Sequence, residues 1–118
     1  LGVSTVSCLG GDPIVGTRHI DVLKLFEEDD DTTAVILLGE LGGADEIAAA
    51  SYIKSMSKPV FAYVSGWSTP PGKKMGHAGA IASGESESAL AKSKVLEKEG
   101  AFTAKTVKEL TKMIGQKL

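Results

Sequence analysis

Cysteine is nearly absent from this chain: Cys8 is the only one in 118 residues. A single thiol excludes an internal disulfide and fits a reducing compartment. A surplus of either charge is missing too. The formal net charge is −2, so no basic field exists to collect nucleic acid or an anionic membrane. No apolar run approaches the roughly 20 residues of a membrane span. Histidine is scarce, with two in the chain, and no His or Cys pair stands at ligand spacing, so no metal site is expected. A Gly-x-Ser-x-Gly elbow and a Walker-type lysine loop are both lacking, which argues against those two routes to hydrolysis. The opening Leu1-Gly2-Val3-Ser4 has no methionine, basic region or long apolar stretch, and reads as the boundary of a fragment rather than a signal peptide.

What is present is ordinary for a soluble globular protein: 42% hydrophobic and 24% charged residues. The length allows one domain, residues 1–118. A chain of this size buries roughly two-thirds of its unfolded surface, enough for one modest core.

Short β-rich runs alternate with helical periodicity. Residues 3–9 read as a strand that contains Cys8 as a buried apolar group, broken by the loop Gly10-Gly11-Asp12-Pro13. Thr17 is the expected cap of a helix carrying Ile20, Leu23 and Phe26 on one side and ending near Glu28. Asp29-Asp30-Asp31 reads as a solvated turn, since acid is disfavoured at a helix C-terminus. Residues 33–38 form a continuous apolar strand, a pattern suited to a parallel sheet covered on both faces. The loop Gly39-Glu40-Leu41-Gly42-Gly43 follows, and Asp45 is the expected cap of a helix with Ala49, Ile53 and Met56 on one face. Pro59 stops it. Residues 60–64 are the next strand, and a long loop runs from Ser65 to about Gly84.

Ser86 or Ser88 opens a helix through Lys98, closed by Gly100 in a left-handed cap. Residues 101–103 form a short strand. Thr106 and Glu109 form a capping box, and Val107, Leu110 and Ile114 give the buried stripe of a last helix. The order is β-α-β-α-β-loop-α-β-α. It implies an α/β fold with a parallel sheet and right-handed crossovers, with ligands gathering beyond the C-terminal strand ends.

Two residues at that rim could carry chemistry. His77 stands in Gly76-His77-Ala78-Gly79-Ala80-Ile81, among residues small enough to let backbone approach a bulky anion. Glu40 follows the preceding strand. A carboxylate bonded to one imidazole nitrogen fixes the tautomer and makes the other a better nucleophile. The same residues also fit plainer roles: a solvated loop histidine and a glutamate that caps the Asp45 helix. Gly42-Gly43 could offer backbone N–H groups to a phosphate or form a simple tight turn. Lys73-Lys74 could steer a phosphorylated ligand or merely be solvated. His19 reads as a surface or interface residue. Trp67 reads as a loop anchor or a ligand contact.

The stretch from Thr69 to Ile81, Thr-Pro-Pro-Gly-Lys-Lys-Met-Gly-His-Ala-Gly-Ala-Ile, resembles the phosphohistidine loop of succinyl-CoA synthetase α subunits. Gly10-Gly11-Asp12-Pro13-Ile14 with Ile20-Asp21-Val22-Leu23, and Gly39-Glu40-Leu41-Gly42-Gly43, resemble further elements of that family. So do Tyr52-Ile53-Lys54 and Lys58-Pro59-Val60. The resemblance implies a flavodoxin-like three-layer domain with a parallel sheet and helices on both faces, lacking its first β-α unit. It implies a nucleoside-triphosphate-dependent succinate–CoA ligase, with CoA and ATP or GTP with Mg as substrates of the whole enzyme. His77 would be the phosphorylated histidine, Glu40 its hydrogen-bond partner, and Gly76, Ala78, Gly79, Gly42 and Gly43 the phosphate loop. Partners would be a β subunit and an N-terminal CoA-binding part of the α subunit, in bacterial cytoplasm or mitochondrial matrix, with the fragment inactive alone. The segment from Glu85 to Lys92 leans toward the related ATP-citrate lyase. A malate–CoA ligase relative, or a non-catalytic flavodoxin-like interaction module, would carry the same residues.

Overall fold

The run Val60-Phe61-Ala62-Tyr63-Val64 places β-branched and aromatic residues on both faces of an extended segment, which suits the middle of a sheet. It occupies that place. The computed structural model describes residues 2–12, 14–70, 73 and 84–118. Its elements are α1 (His19–Glu28), β1 (Val35–Glu40), α2 (Asp45–Ile53), β2 (Val60–Ser65), a short 3-10 turn (Glu85–Glu87), α3 (Ala89–Lys98), β3 (Phe102–Ala104) and α4 (Val107–Lys117). The strands pair in parallel in the order β1-β2-β3, with Val35 opposite Val60, Glu40 opposite Ser65, and Phe61 opposite Phe102.

The alternation of side chains along β2 divides the core in two. On one face Val60, Ala62 and Val64 join Val35 and Leu37 of β1. They pack against Leu23 of α1, Ala49, Ala50 and Ile53 of α2, and Ala89 and Leu96 of α3. On the other face Phe61 and Tyr63 meet Phe102, Ala104, and Leu110 and Ile114 of α4. Helices therefore cover both sides of a parallel sheet, the three-layer α/β arrangement expected. Phe61 and Leu96 are wholly buried, each contributing about 1.5–3 kcal/mol.

Element ends follow their local chemistry. The Ser88 hydroxyl accepts from the Ala91 N–H at 3.2 Å and starts α3. Gly100, at φ +102°, closes it. Thr106 caps α4 by accepting from the Glu109 N–H at 3.1 Å.

The structure corrects several expectations. Residues 3–9 are not a strand: they are irregular and Cys8 is exposed. With β1 they line a cavity of about 630 Å³, and among the described residues they form no ladder with it. Gly39 and Glu40 belong to β1 rather than to the loop after it. β1 is not covered on both faces, because Ile36 and Leu38 are about half and two-thirds exposed. Their side is the α4 side, and α4 packs chiefly on β2 and β3. Arg18, not Thr17, precedes α1, and the Asp21 carboxylate accepts its N–H at 3.0 Å. Asp45 is the first residue of α2, not its cap. The capping box of α4 is incomplete, since the Glu109 carboxylate takes the N–H of Lys105. Val107 is exposed, so Leu110 and Ile114 alone form the buried stripe.

Candidate functional site

Parallel strands end together, and here two ends converge. Glu40 closes β1 directly opposite Ser65, the last residue of β2. Leu41, 4% exposed, turns the chain inward beneath Gly66. Gly66 has φ +103°, and a Cβ there would lie 2.3 Å from Leu41 Cδ2. The two strand-end loops thus fit against each other only because residue 66 lacks a side chain.

Under Glu40 lies a buried ion pair. Lys92 of α3 is completely buried, and Glu46 of α2 is 5% exposed. Lys92 Nζ donates to Glu46 Oε2 at 2.5 Å, to the Glu40 carbonyl at 2.8 Å and to the Gly42 carbonyl at 2.5 Å. Glu46 Oε1 accepts the Glu40 N–H at 3.1 Å. A buried ammonium or carboxylate without such partners would carry a penalty of several kcal/mol. Here every lysine proton and both glutamate oxygens have a partner.

The expected site residues fare differently. Glu40 is half-buried at the rim, as expected of a strand-end carboxylate. Gly42 and Gly43 both have positive φ, +87° and +63°. The Gly42 N–H donates to the Glu87 carbonyl at 2.9 Å, and Gly43 is exposed. Gly76, His77, Ala78 and Gly79 lie outside the described residues. Lys73 joins Tyr63, Trp67, Thr69 and Lys105 around a cavity of about 400 Å³ at the same end of the sheet. Lys74 lies outside the described residues. Trp67 packs on the core with the Lys105 ammonium 5.8 Å from its ring centre, and so anchors the loop it stands in.

Glu46 and Lys92 were not foreseen. A signal existed for Lys92: it shares the buried stripe Ala89, Lys92, Ser93 and Leu96, spaced three, four and seven apart. A lysine on such a stripe must find a partner inside.

His19 is not a free surface residue. Its N–H donates to Asp45 Oδ2 at 2.9 Å, its Nδ1 lies 2.5 Å from the same oxygen, and Arg18 Nη1 is 3.2 Å from Oδ1. Burial pushes the Asp45 carboxyl up, but the His19 N–H and ring and the Arg18 guanidinium outweigh it and hold the group below its ordinary range. This cluster joins the start of α1 to the start of α2.

A parallel sheet with helices on both faces, and with glycine turns and a carboxylate at its C-terminal strand ends, defines the open α/β class, in which ligands as a rule gather at that rim. Residues 1–102 match the CoA-ligase family, and the chain belongs to it. It is 52% identical over 116 residues to subunit alpha 2 of the ADP-forming succinate–CoA ligase of Archaeoglobus fulgidus, covering 98% of this chain and 40% of that one. It is 55% identical over 100 residues to the alpha subunit of the same kind of ligase from Methanothermobacter thermautotrophicus, covering 85% of this chain and 34% of that one. The chain therefore spans two-fifths or less of the length of these relatives. Among solved structures, the ATP citrate lyase of Methanosaeta concilii in complex with (3S)-citryl-CoA superposes with a TM-score of 0.83. It is 32% identical, covering 91% of this chain and 18% of that one.

Proposed function

We propose that this chain is the phosphoryl-carrying part of a nucleoside-triphosphate-dependent succinate–CoA ligase, with His77 as the carrier and Glu40 as the residue that orients it. One observation carries the reading: Glu40 ends β1 beside Ser65, and the segment that leaves Ser65 contains Gly76-His77-Ala78-Gly79. The names of the relatives support the acid and the CoA chemistry.

In this reading an imidazole nitrogen of His77 attacks the terminal phosphorus of the nucleotide. A phosphorus–nitrogen bond forms as the phosphorus–oxygen bond to the departing nucleoside diphosphate breaks. The ring becomes cationic, and the Glu40 carboxylate stabilises it and fixes its orientation. In a second transfer a carboxylate oxygen of the acid substrate attacks that phosphorus: a phosphorus–oxygen bond forms as the phosphorus–nitrogen bond breaks, and the imidazole of His77 leaves neutral. Gly76, Ala78 and Gly79 would let backbone come close to the phosphate, with Gly43 the more accessible of the two glycines after Glu40. Positioning and charge stabilisation are what phosphoryl transfer chiefly requires. Among the described residues no three His, Cys, Asp or Glu side chains gather to hold a metal ion. Magnesium enters this reading with the nucleotide, as part of the substrate.

The reading includes assembly. A β subunit would supply the nucleotide, and the part of the relatives that this chain does not span would supply CoA binding, so the 118 residues alone would be inactive. The cavity between residues 2–9 and the unpaired edge of β1 suits a further strand, which would complete the sheet. Cytoplasm or mitochondrial matrix is the compartment that goes with this role.

The test is intact-mass measurement of the full-length chain assembled with its β subunit, after incubation with ATP or with GTP. The expected result is one acid-labile, base-stable phosphoryl group, absent from His77→Ala. An equal gain in His77→Ala would overturn the assignment and favour a non-catalytic interaction module. The likeness to ATP citrate lyase supports a second reading in which citrate is the acid. Turnover with succinate, malate and citrate separates the two.

A further inference from the structure

Buried ion pairs are weak contributors to stability, since desolvation offsets most of their attraction and apolar replacements are often neutral. The Lys92–Glu46 pair therefore calls for a reason other than fold stability. Its geometry supplies one. The N–H of Glu40 is held by Glu46 Oε1, and the carbonyl of Glu40 is held by Lys92 Nζ. Both polar groups of that one residue's backbone are thus bound to a single ion pair. The same ammonium also holds the Gly42 carbonyl, fixing the chain two residues further on. Three elements contribute: Glu40 ends β1, Glu46 lies in the first turn of α2, and Lys92 lies in the first turn of α3.

The sequence makes room for this arrangement at Gly39. A Cβ there would lie 2.7 Å from Glu46 Oε1 and 3.1 Å from its Cγ. Gly39 has no positive φ, so its lack of a side chain serves the approach of Glu46 rather than the backbone. The strand ladder alone would hold Glu40 from the β2 side only. The ion pair adds constraint from beneath, through two helices.

We propose that Lys92 and Glu46 are positioning residues of the ligase reaction: a buried clamp on the backbone of Glu40 that sets where its carboxylate stands. This rests on the reading that Glu40 orients His77. A clamp of this kind acts on the rate of phosphoryl transfer and leaves substrate binding alone, because neither residue reaches the surface.

The experiment uses the full-length chain assembled with its β subunit. Four forms are compared: wild type, Glu40→Gln, the double variant Lys92→Met/Glu46→Leu, and the triple variant combining them. The double variant removes both charges together, so no unpaired buried ion remains. The rate and final extent of His77 phosphorylation are measured, with KM for nucleotide, across pH. The double variant is expected to slow the rate at least about tenfold, as loss of an orienting partner does elsewhere. KM should stay within about twofold, and the pH profile should shift toward that of Glu40→Gln. The triple variant should be no slower than Glu40→Gln, because residues acting through one another are not additive.

A wild-type rate in the double variant overturns the clamp if Glu40→Gln is slow. So does a triple variant in which the two losses multiply in full. A wild-type rate in Glu40→Gln instead overturns the role of Glu40 itself, and the clamp with it. If the double variant does not fold, Lys92→Arg carries the test. It keeps the charge but puts a larger planar fork where a compact ammonium sits fully buried, which changes the directions of the donors to Glu40 O, Gly42 O and Glu46. A folded Lys92→Arg with wild-type rate overturns the proposal, and a slowed rate that is not slowed further by Glu40→Gln supports it.

Discussion

Asp45 and Glu46 are neighbours in the first turn of α2, and they do opposite things. Asp45 turns outward to α1, where it meets the His19 N–H and ring and the Arg18 guanidinium at a half-buried surface. Glu46 turns inward beneath the end of β1, where it meets Lys92 with almost no solvent contact. Successive helix positions lie about 100° apart, so one residue's step is enough to exchange water for core. Both acids suit the positive end of a helix, and that favourable term is similar for the two. Burial makes the difference. Water can replace the partners of Asp45, whereas nothing can replace those of Glu46.

The largest expected effect breaks the buried side. Lys92→Met leaves Glu46 charged and unpaired, and should lower stability by about 3–5 kcal/mol in urea unfolding. Adding Glu46→Leu should restore most of that loss. A smaller effect reaches the same site through the helix that carries Lys92. Ser88→Ala removes the cap of α3 and should cost about 1 kcal/mol, read as a lower urea midpoint with an unchanged slope. The smallest lies on the outer side. Asp45→Asn should cost less than about 1 kcal/mol, and less still at high salt. Acid sharpens the contrast further. The Asp45 carboxyl is held below its ordinary value of 3.8, so it favours the fold while ionised. That contribution is complete above the ordinary value and is lost as pH falls through the lower folded one. Stability of wild type and Asp45→Asn, measured from neutral pH downward, should therefore converge in that acid range.

The sequence makes much of this plan readable, and its failures have physical causes. β2 and the helices from α1 to α4 follow from apolar spacing and from end signals such as Ser88, Gly100 and Thr106. Strand character in residues 3–9 does not follow, because a strand exists only against a neighbour. Composition records propensity and not pairing. The exposure of Ile36 and Leu38 is hidden for the same reason: an apolar run cannot show that α4 packs chiefly on β2 and β3. Glu40 is readable as a rim carboxylate because a strand end can be located from pattern. Glu46 and Lys92 are not readable as a pair, since they stand 46 positions apart and meet only once α2 and α3 lie side by side. His77 stands on its sequence context and on the place of Ser65 beside Glu40.

Trp67 is the only tryptophan in the chain. It lies two residues past Ser65, packed on the core with Lys105 over its ring. The intrinsic fluorescence of the protein is therefore a local signal, emitted from the start of the segment that leads to His77. An optical titration would watch that strand end without any label.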